Sequence, residues 1–308
     1  MRTYLVTGGC GFIGSHLADA LLEQGHAVRI LDDLSTGKLV NKPEAAELIL
    51  GDVADAHCVK KAMQGTAGCF HLAAIASVER GNQDWLGTHR VNLTGTINVF
   101  EAARWAGCVP VVYASSAAVY GDNPALPLSE AAPPRPLSAY GADKLGCELH
   151  ARVAGLVHGV PSTGLRFFNV YGPRQDPTSP YSGVISIFCD RLRAGQGVTV
   201  FGDGEQTRDF VYVGDVVRAL VASLRDASVA ARVFNVCTGR ATSVGELARA
   251  IARTLDMTPD IRFGSERSGD IRASLGDPAA ARAALGFAAT TGLAEGLAHT
   301  IGTCMVGG

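Results

Sequence analysis

The sequence predicts an α/β protein: a doubly wound parallel sheet in the first half and a smaller α/β domain after it. Three observations predict it. Short apolar runs alternate with helical patterns through the first half, the order of successive βαβ units. A glycine-rich turn separates the first strand-like run from the first helix. After Asn169 the alternation weakens and prolines at 173, 177 and 180 break the chain into a loop. The expected division is therefore 1–168 and 169–308, with some segments of the second part crossing back to the first.

Thr3–Thr7 reads as a short buried strand. It leads into Thr7-Gly8-Gly9-Cys10-Gly11-Phe12-Ile13-Gly14, then a helical pattern to about Glu23, stopped by Gly25. A second strand, 27–31, ends at Asp32-Asp33. Strand, glycine turn, helix, strand and acid in this order form a dinucleotide site. The glycines permit a tight turn and close approach of a pyrophosphate, and the helix N-terminus supplies N–H donors and a positive dipole end. Gly8, Gly11, Phe12 and Ile13 are the expected contacts. Asp32, eighteen residues after Gly14, is placed to bond both ribose hydroxyls. A carboxylate there repels a 2′-phosphate, which favours NAD over NADP.

Glu47–Leu50 reads as a strand running into Gly51-Asp52-Val53. Asp52 either meets the adenine amino group, with Val53 beside it, or caps the next helix; both readings stay open. Residues 68–72 form a further strand, and the small residues after it, Ala73 and Ala74 first, let a flat cofactor lie close to the backbone. Residues 85–106 read as one long helix; Asn92 inside it is a buried structural amide counted with the cofactor set. A strand at 109–114 reaches Ser115-Ser116, and a proline-rich loop spans 123–136. In doubly wound sheets ligands sit beyond the C-terminal ends of the strands, where Gly11, Asp32, Asp52, Ala73 and Ser116 all fall on this reading.

Tyr140-Gly-Ala-Asp-Lys144 follows, twenty-four residues after Ser116. Residues four apart on a helix share a face. A free phenol titrates near about pH 10, and a neighbouring ammonium favours its ionised form. Such a pair can act as a general base toward a substrate hydroxyl. In the second half, 183–194 reads as a helix and 198–202 as a strand running to a turn. A helix over 239–255 opens on the capping-box pattern Ser243-Val-Gly-Glu246, and Asp277-Pro278 starts another, Ala279–Leu285.

The composition, 47% hydrophobic and 18% charged, is that of a compact globular chain, and a net charge of -2 gives no general attraction to nucleic acid or an anionic membrane. No apolar run is long enough to span a bilayer. The eight cysteines are scattered with no Cys-x-x-Cys, so no metal site is expected. Free thiols and the lack of a signal-peptide layout fit a cytoplasmic protein.

The glycine turn, Ser115-Ser116 and Tyr140-x-x-x-Lys144, with Arg166-Phe-Phe-Asn169-Val-Tyr-Gly-Pro-Arg174 and Arg208-Asp-Phe-Val-Tyr-Val-Gly-Asp215, resemble an extended short-chain dehydrogenase/reductase. The resemblance covers nearly the whole chain, and its closest branch is the nucleotide-sugar 4-epimerases. It implies a Rossmann sheet, a tightly held NAD, and a catalytic set of Ser116, Tyr140 and Lys144. Sugar-nucleotide dehydratases and decarboxylases carry extra acids after the serine pair; here those places hold Ala117 and Ala118, which leaves reversible oxidation at one carbon. The resemblance also implies a UDP-sugar substrate. Arg208 and Arg267 would hold its diphosphate, where planar guanidinium groups suit phosphate oxygens. Asn169 would touch the diphosphate or sugar, and Phe201 would either stack on the uracil or pack in the core. Ser274 falls where hexose-restricted epimerases carry a bulky tyrosine. A small side chain there leaves room for a 2-acetamido group, which points to UDP-GlcNAc/UDP-GalNAc, with UDP-glucose/UDP-galactose, or another nucleotide-sugar reaction of the superfamily (dehydratase, decarboxylase or reductase), as the alternatives. A homodimer through the helices at 85–106 and 140–157 is also implied, and the supply of polysaccharide precursors is a use such an enzyme would have.

Overall fold

A computed structural model describes residues 1–176, 183–266 and 271–303. The first half runs β1 (Thr3–Thr7), α1 (Phe12–Glu23), β2 (Ala27–Asp32), β3 (Glu47–Leu50), α2 (Ala56–Met63), β4 (Cys69–His71), α3 (Val78–Gln83), α4 (Trp85–His89), α5 (Gly95–Trp105), β5 (Val111–Ser116), α6 (Ala139–His158) and β6 (Ser162–Phe167). The second half runs β7 (Asn169–Tyr171), α7 (Val184–Arg193), β8 (Val198–Phe201), β9 (Thr207–Arg208), β10 (Phe210–Tyr212), α8 (Val213–Asp226), β11 (Arg232–Val236), β12 (Thr242–Ser243), α9 (Val244–Thr254), β13 (Ile261–Gly264), α10 (Ala279–Leu285) and α11 (Leu293–Thr303).

Seven strands form one parallel sheet in the order β11-β6-β5-β4-β1-β2-β3. Its central strands are buried on both faces, which is why they read as near-continuous apolar runs. One face is covered by α1, α8 and α10 through Leu17, Leu21, Val216, Leu220 and Ala281. The other is covered by α2, α5 and α6 through Val59, Met63, Val99, Ala103 and Ala151. The winding reverses between β1 and β4, and that reversal opens a crevice at the strands' C-terminal ends.

After Asn169 some segments cross back to the first sheet. Helix α8 and strand β11 continue its alternation, and β11 pairs with β6, Phe234 opposite Leu165. The intervening short strands and prolines hide this, because they belong to a second layer. There α7, α9 and α11 pack Ile185, Phe188, Leu247, Ile251 and Leu297 against Val198 and Val200 of β8. Helix α9 starts at Val244, not 239; Ser243 and Glu246 form the capping box, and Gly239 is in a left-handed turn at φ 71°.

The helical stretch at 85–106 is broken by one π-turn, Arg90–Thr94. The Thr96 hydroxyl donates to the Asn92 carbonyl at 2.6 Å and the Cys147 thiol donates to it at 3.4 Å, which accommodates the extra residue in the turn. Among the described residues no helix is long and apolar enough to cross a membrane.

Candidate active site

The glycine turn folds as its sequence requires. Gly8 holds φ at 70°, and a Cβ there would lie 2.7 Å from the Ala73 nitrogen, so β1 and the end of β4 approach too closely for a side chain. A Cβ on Gly14 would strike the Gly8 carbonyl, whereas one on Gly11 would enter space bounded only by that carbonyl. Helix α1 begins after Gly11 without a side-chain cap or an acid in its first turn. Its first N–H groups are therefore suited to a phosphate. This cradle, with Phe12 and Ile13 on the opening turn, fits a dinucleotide pyrophosphate.

Asp32 is buried at the end of β2, accepting from the Cys10 nitrogen and the Leu34 nitrogen at 2.9 Å each. Burial pushes its carboxyl upward against those two bonds. It thus ties the glycine turn to the β2 end, besides any bond to a ribose. Asp52 does not cap α2; Asp55 does, accepting from His57 and Cys58. Asp52 instead accepts from the Ala54 nitrogen at 2.8 Å and pairs with Arg90 at 3.2 Å. The Val53 side chain is core, packed beneath Gly95, and its carbonyl accepts from Asn98. Asn92 is the buried structural amide expected within its helix, beside the cofactor loop. It is 1% exposed, and its amide bonds both main-chain groups of Ile75, at 2.8 and 3.2 Å. It holds the loop after Ala73 and Ala74 in place.

Strand β5 delivers Ser116, whose Oγ accepts from the Ala118 nitrogen at 3.1 Å. Helix α6 opens with Ser138 as its cap, accepting from the Gly141 nitrogen. A Cβ at Gly141 would lie 2.6 Å from the Ala118 carbonyl, so the glycine lets the helix start press against the 117–120 turn. Tyr140 is half-buried there. Lys144 is 3% exposed; its Nζ donates to the Ala114 carbonyl at 2.8 Å and lies 5.9 Å from the Tyr140 ring centre.

Sequence reasoning missed His71, at the end of β4. Its ring shares hydrogen bonds with Thr7 at 2.7 Å and Thr96 at 3.0 Å. The Thr7 oxygen already accepts from the Leu72 and Ala73 nitrogens, and the Thr96 hydroxyl donates to Asn92. The network therefore assigns the proton to Nε2, with Nδ1 accepting from Thr7. Burial, then the Lys144 charge, lowers its pKa to about 3. Glu148 was missed too, and Arg166 was quoted only inside a motif. Nothing local marks them, because their partners come from other elements.

On the substrate side, Asn169 is exposed at the start of β7, and Phe201 is half-buried at the end of β8. Arg208 lies in β9 and donates to the Thr207 carbonyl at 2.8 Å. The Ser274 N–H donates to the same carbonyl at 3.1 Å, and Ala273 bridges Thr207, so the Ser274 segment runs beside β9 and Arg208. Arg272 forks onto Asp203 at 2.7 and 2.9 Å, which lowers that carboxyl to about 2. This exposed pair ties the Ser274 segment to the turn after β8. Arg267 lies outside the described residues.

A parallel doubly wound sheet with a phosphate turn at its switch point and Ser116, Tyr140 and Lys144 at neighbouring strand and helix ends defines a dinucleotide-dependent enzyme. The profile of the NAD dependent epimerase/dehydratase family matches residues 4–237. A UDP-glucose 4-epimerase of Mycolicibacterium smegmatis is 42% identical over 281 residues, 89% of each chain. A UDP-N-acetylglucosamine 4-epimerase of Methanobrevibacter ruminantium, solved with UDP-N-acetylmuramic acid, superposes with a TM-score of 0.94 at 35% identity, over 99% of this chain and 98% of that one. A UDP-glucose 4-epimerase of Thermus thermophilus, solved with NAD, gives 0.92 at 36% identity, over 99% and 100%. The chain belongs to the NAD-dependent epimerase/dehydratase family, among the extended short-chain dehydrogenases/reductases, and its cofactor is NAD.

Proposed function

We propose that the protein interconverts C4 epimers of a UDP-hexose, with UDP-GlcNAc/UDP-GalNAc as the leading pair. The observation that carries the reading is Lys144, buried and anchored on the Ala114 carbonyl beside the Tyr140 ring, one strand end from Ser116. Tyr140 Oη takes the proton of the sugar 4-hydroxyl and later returns it. Ser116 Oγ bonds the same hydroxyl, and Lys144 keeps a positive charge beside the phenol. NAD, when bound, supplies the reversible oxidation of C4 to a 4-keto sugar. Gly8, Gly11, Phe12, Ile13 and Asp32 hold the dinucleotide, with Asp52, Val53, Ala73 and Ala74 lining its adenine and nicotinamide ends. Arg208 and Arg267 anchor the diphosphate, with Asn169 and Phe201 beside it. Because the anchor is at the UDP end, the sugar can turn over and present its other face to Tyr140.

Ser274, small and adjacent to Arg208, supports the N-acetyl pair. The name of the 42% identical relative supports UDP-glucose/UDP-galactose as a second reading. A homodimer is part of the proposal, since α6 leaves Leu149, Val153 and Leu156 exposed on one face.

The test is to incubate the purified protein separately with UDP-GlcNAc and UDP-glucose, without added reductant, and separate the products chromatographically. The reading expects the C4 epimer at unchanged mass. A product lighter by water would replace it with a different reaction. Tyr140→Phe should abolish turnover while calorimetry still detects UDP-sugar binding; an active variant would rule this mechanism out.

A further inference from the structure

Behind the catalytic group lies a buried ion pair that the reaction itself does not use. Arg166 of β6 and Glu148 of α6 have side chains only 6% and 7% exposed. The guanidinium meets the carboxylate with both ends of its fork, Nε to Oε1 at 2.8 Å and Nη2 to Oε2 at 2.7 Å. Oε1 also accepts the Ser115 hydroxyl at 2.5 Å. The remaining arm, Nη1, donates to the Tyr120 oxygen at 2.8 Å and to the Glu130 carbonyl at 3.3 Å. Tyr120 in turn donates to Asn235 of β11 at 2.7 Å, and its ring lies 4.7 Å from the guanidinium carbon. Asn235 passes the chain on to the Leu128 carbonyl at 2.8 Å.

Each end of this network touches something the reaction needs. Ser115 precedes Ser116 on β5. Tyr120 closes the 117–120 turn that begins after Ser116. Glu148 lies one helical turn beyond Lys144, as Lys144 lies one turn beyond Tyr140. Consecutive residues of β5 thus grip consecutive turns of α6: the Ala114 carbonyl takes Lys144, and the Ser115 hydroxyl takes Glu148. At the far end Leu128 exchanges main-chain hydrogen bonds with Leu275 and Asp277, next to Ser274. A buried ion pair contributes little more stability than apolar side chains of the same volume. Apolar side chains cannot, however, fix a strand, a helix and a turn in one register, because their contacts have no direction.

We propose that Glu148, Arg166 and Tyr120 are positioning residues. They set α6 against the end of β5, so that Ser116, Tyr140 and Lys144 converge on one sugar hydroxyl, and they tie that group to the segment bearing Ser274. The proposal rests on the epimerase reading, which wild-type turnover tests separately and first. None of the three residues is assigned a contact with substrate or cofactor.

The experiment uses the NAD-loaded full chain and four variants. Arg166→Lys keeps the charge and loses the fork. Tyr120→Phe and Ser115→Ala each delete one hydroxyl. Glu148→Leu with Arg166→Met replaces the pair with apolar side chains. Arg166→Lys should lower kcat at least tenfold, and the two hydroxyl deletions roughly three- to tenfold. In all three, KM for the UDP-sugar should stay within about twofold and bound NAD per protomer should be unchanged. The apolar double variant should melt near the wild type and still show the loss in kcat. Wild-type kcat in a stably folded double variant would overturn the proposal. So would a lowered melting temperature with unchanged kcat per folded molecule across the set. Should the double variant not fold, Tyr120→Phe and Ser115→Ala decide by the same split between kcat and KM.

Discussion

Tyr140 and Lys144 are four residues apart in one helix, so their pairing is written in a single pentapeptide. Other buried polar contacts of the fold are not. His71 meets Thr7 and Thr96 across sequence separations of 64 and 25 residues, and no window of the sequence contains that triad. The difference has a pH signature. An unfolded imidazole binds a proton below about pH 6.5, whereas His71 in the folded protein does so only near 3. Its contribution to stability is therefore complete above the unfolded value and is lost as the pH falls toward 3. The slope from this one group is at most about 1.4 kcal/mol per pH unit. Denaturation midpoints between about pH 7 and pH 4 should fall more steeply for the wild type than for His71→Gln; parallel lines would assign the loss to other groups. Ser274 belongs to the same scale. Ser274→Tyr adds a ring beside Arg208 and should suppress turnover of UDP-GlcNAc at least tenfold more than that of UDP-glucose. Equal losses on both substrates, in a direct kcat/KM comparison, would remove Ser274 as the gatekeeper.

Helix α9 shows what is legible at the level of elements. The pattern Ser243 to Glu246 identified its start chemically, and both reciprocal hydrogen bonds form, at 3.1 and 3.0 Å. Its boundary was misread at Gly239, which turns the chain at φ 71° ahead of the capping residue. Ser243→Ala should cost about 1 kcal/mol, measurable as a lower urea midpoint with an unchanged slope. The first five strands of the sheet could be read because each carries its apolar run between turn residues. The π-turn at Arg90–Thr94 could not, since it depends on Thr96 one turn along and on Cys147 in a different helix. Asp52 shows the same limit: cap or ligand were equal choices until Asp55 was found in the capping place.

For the molecule as a whole, the apolar side chains left uncovered form a pattern. Leu149, Val153 and Leu156 project from one face of α6, with Leu156 70% exposed, and Trp85 of α4 is 71% exposed. Large apolar patches of this kind mark contact surfaces. If they close a homodimer, Leu149→Glu combined with Leu156→Glu should give a monomer by light scattering, with a circular dichroism spectrum like the wild type; an unchanged mass would place the contact elsewhere. Strand β11 carries a different consequence. It lies beside β6 in the sheet but is made some sixty-five residues later, after the whole stretch containing β7 to α8. As the nascent chain leaves the ribosome, the flank of β6 stays open until Val236 has emerged. Premature release anywhere before that residue would yield a sticky fragment with its nucleotide cradle encoded but unsupported, the sort of species that calls for a chaperone.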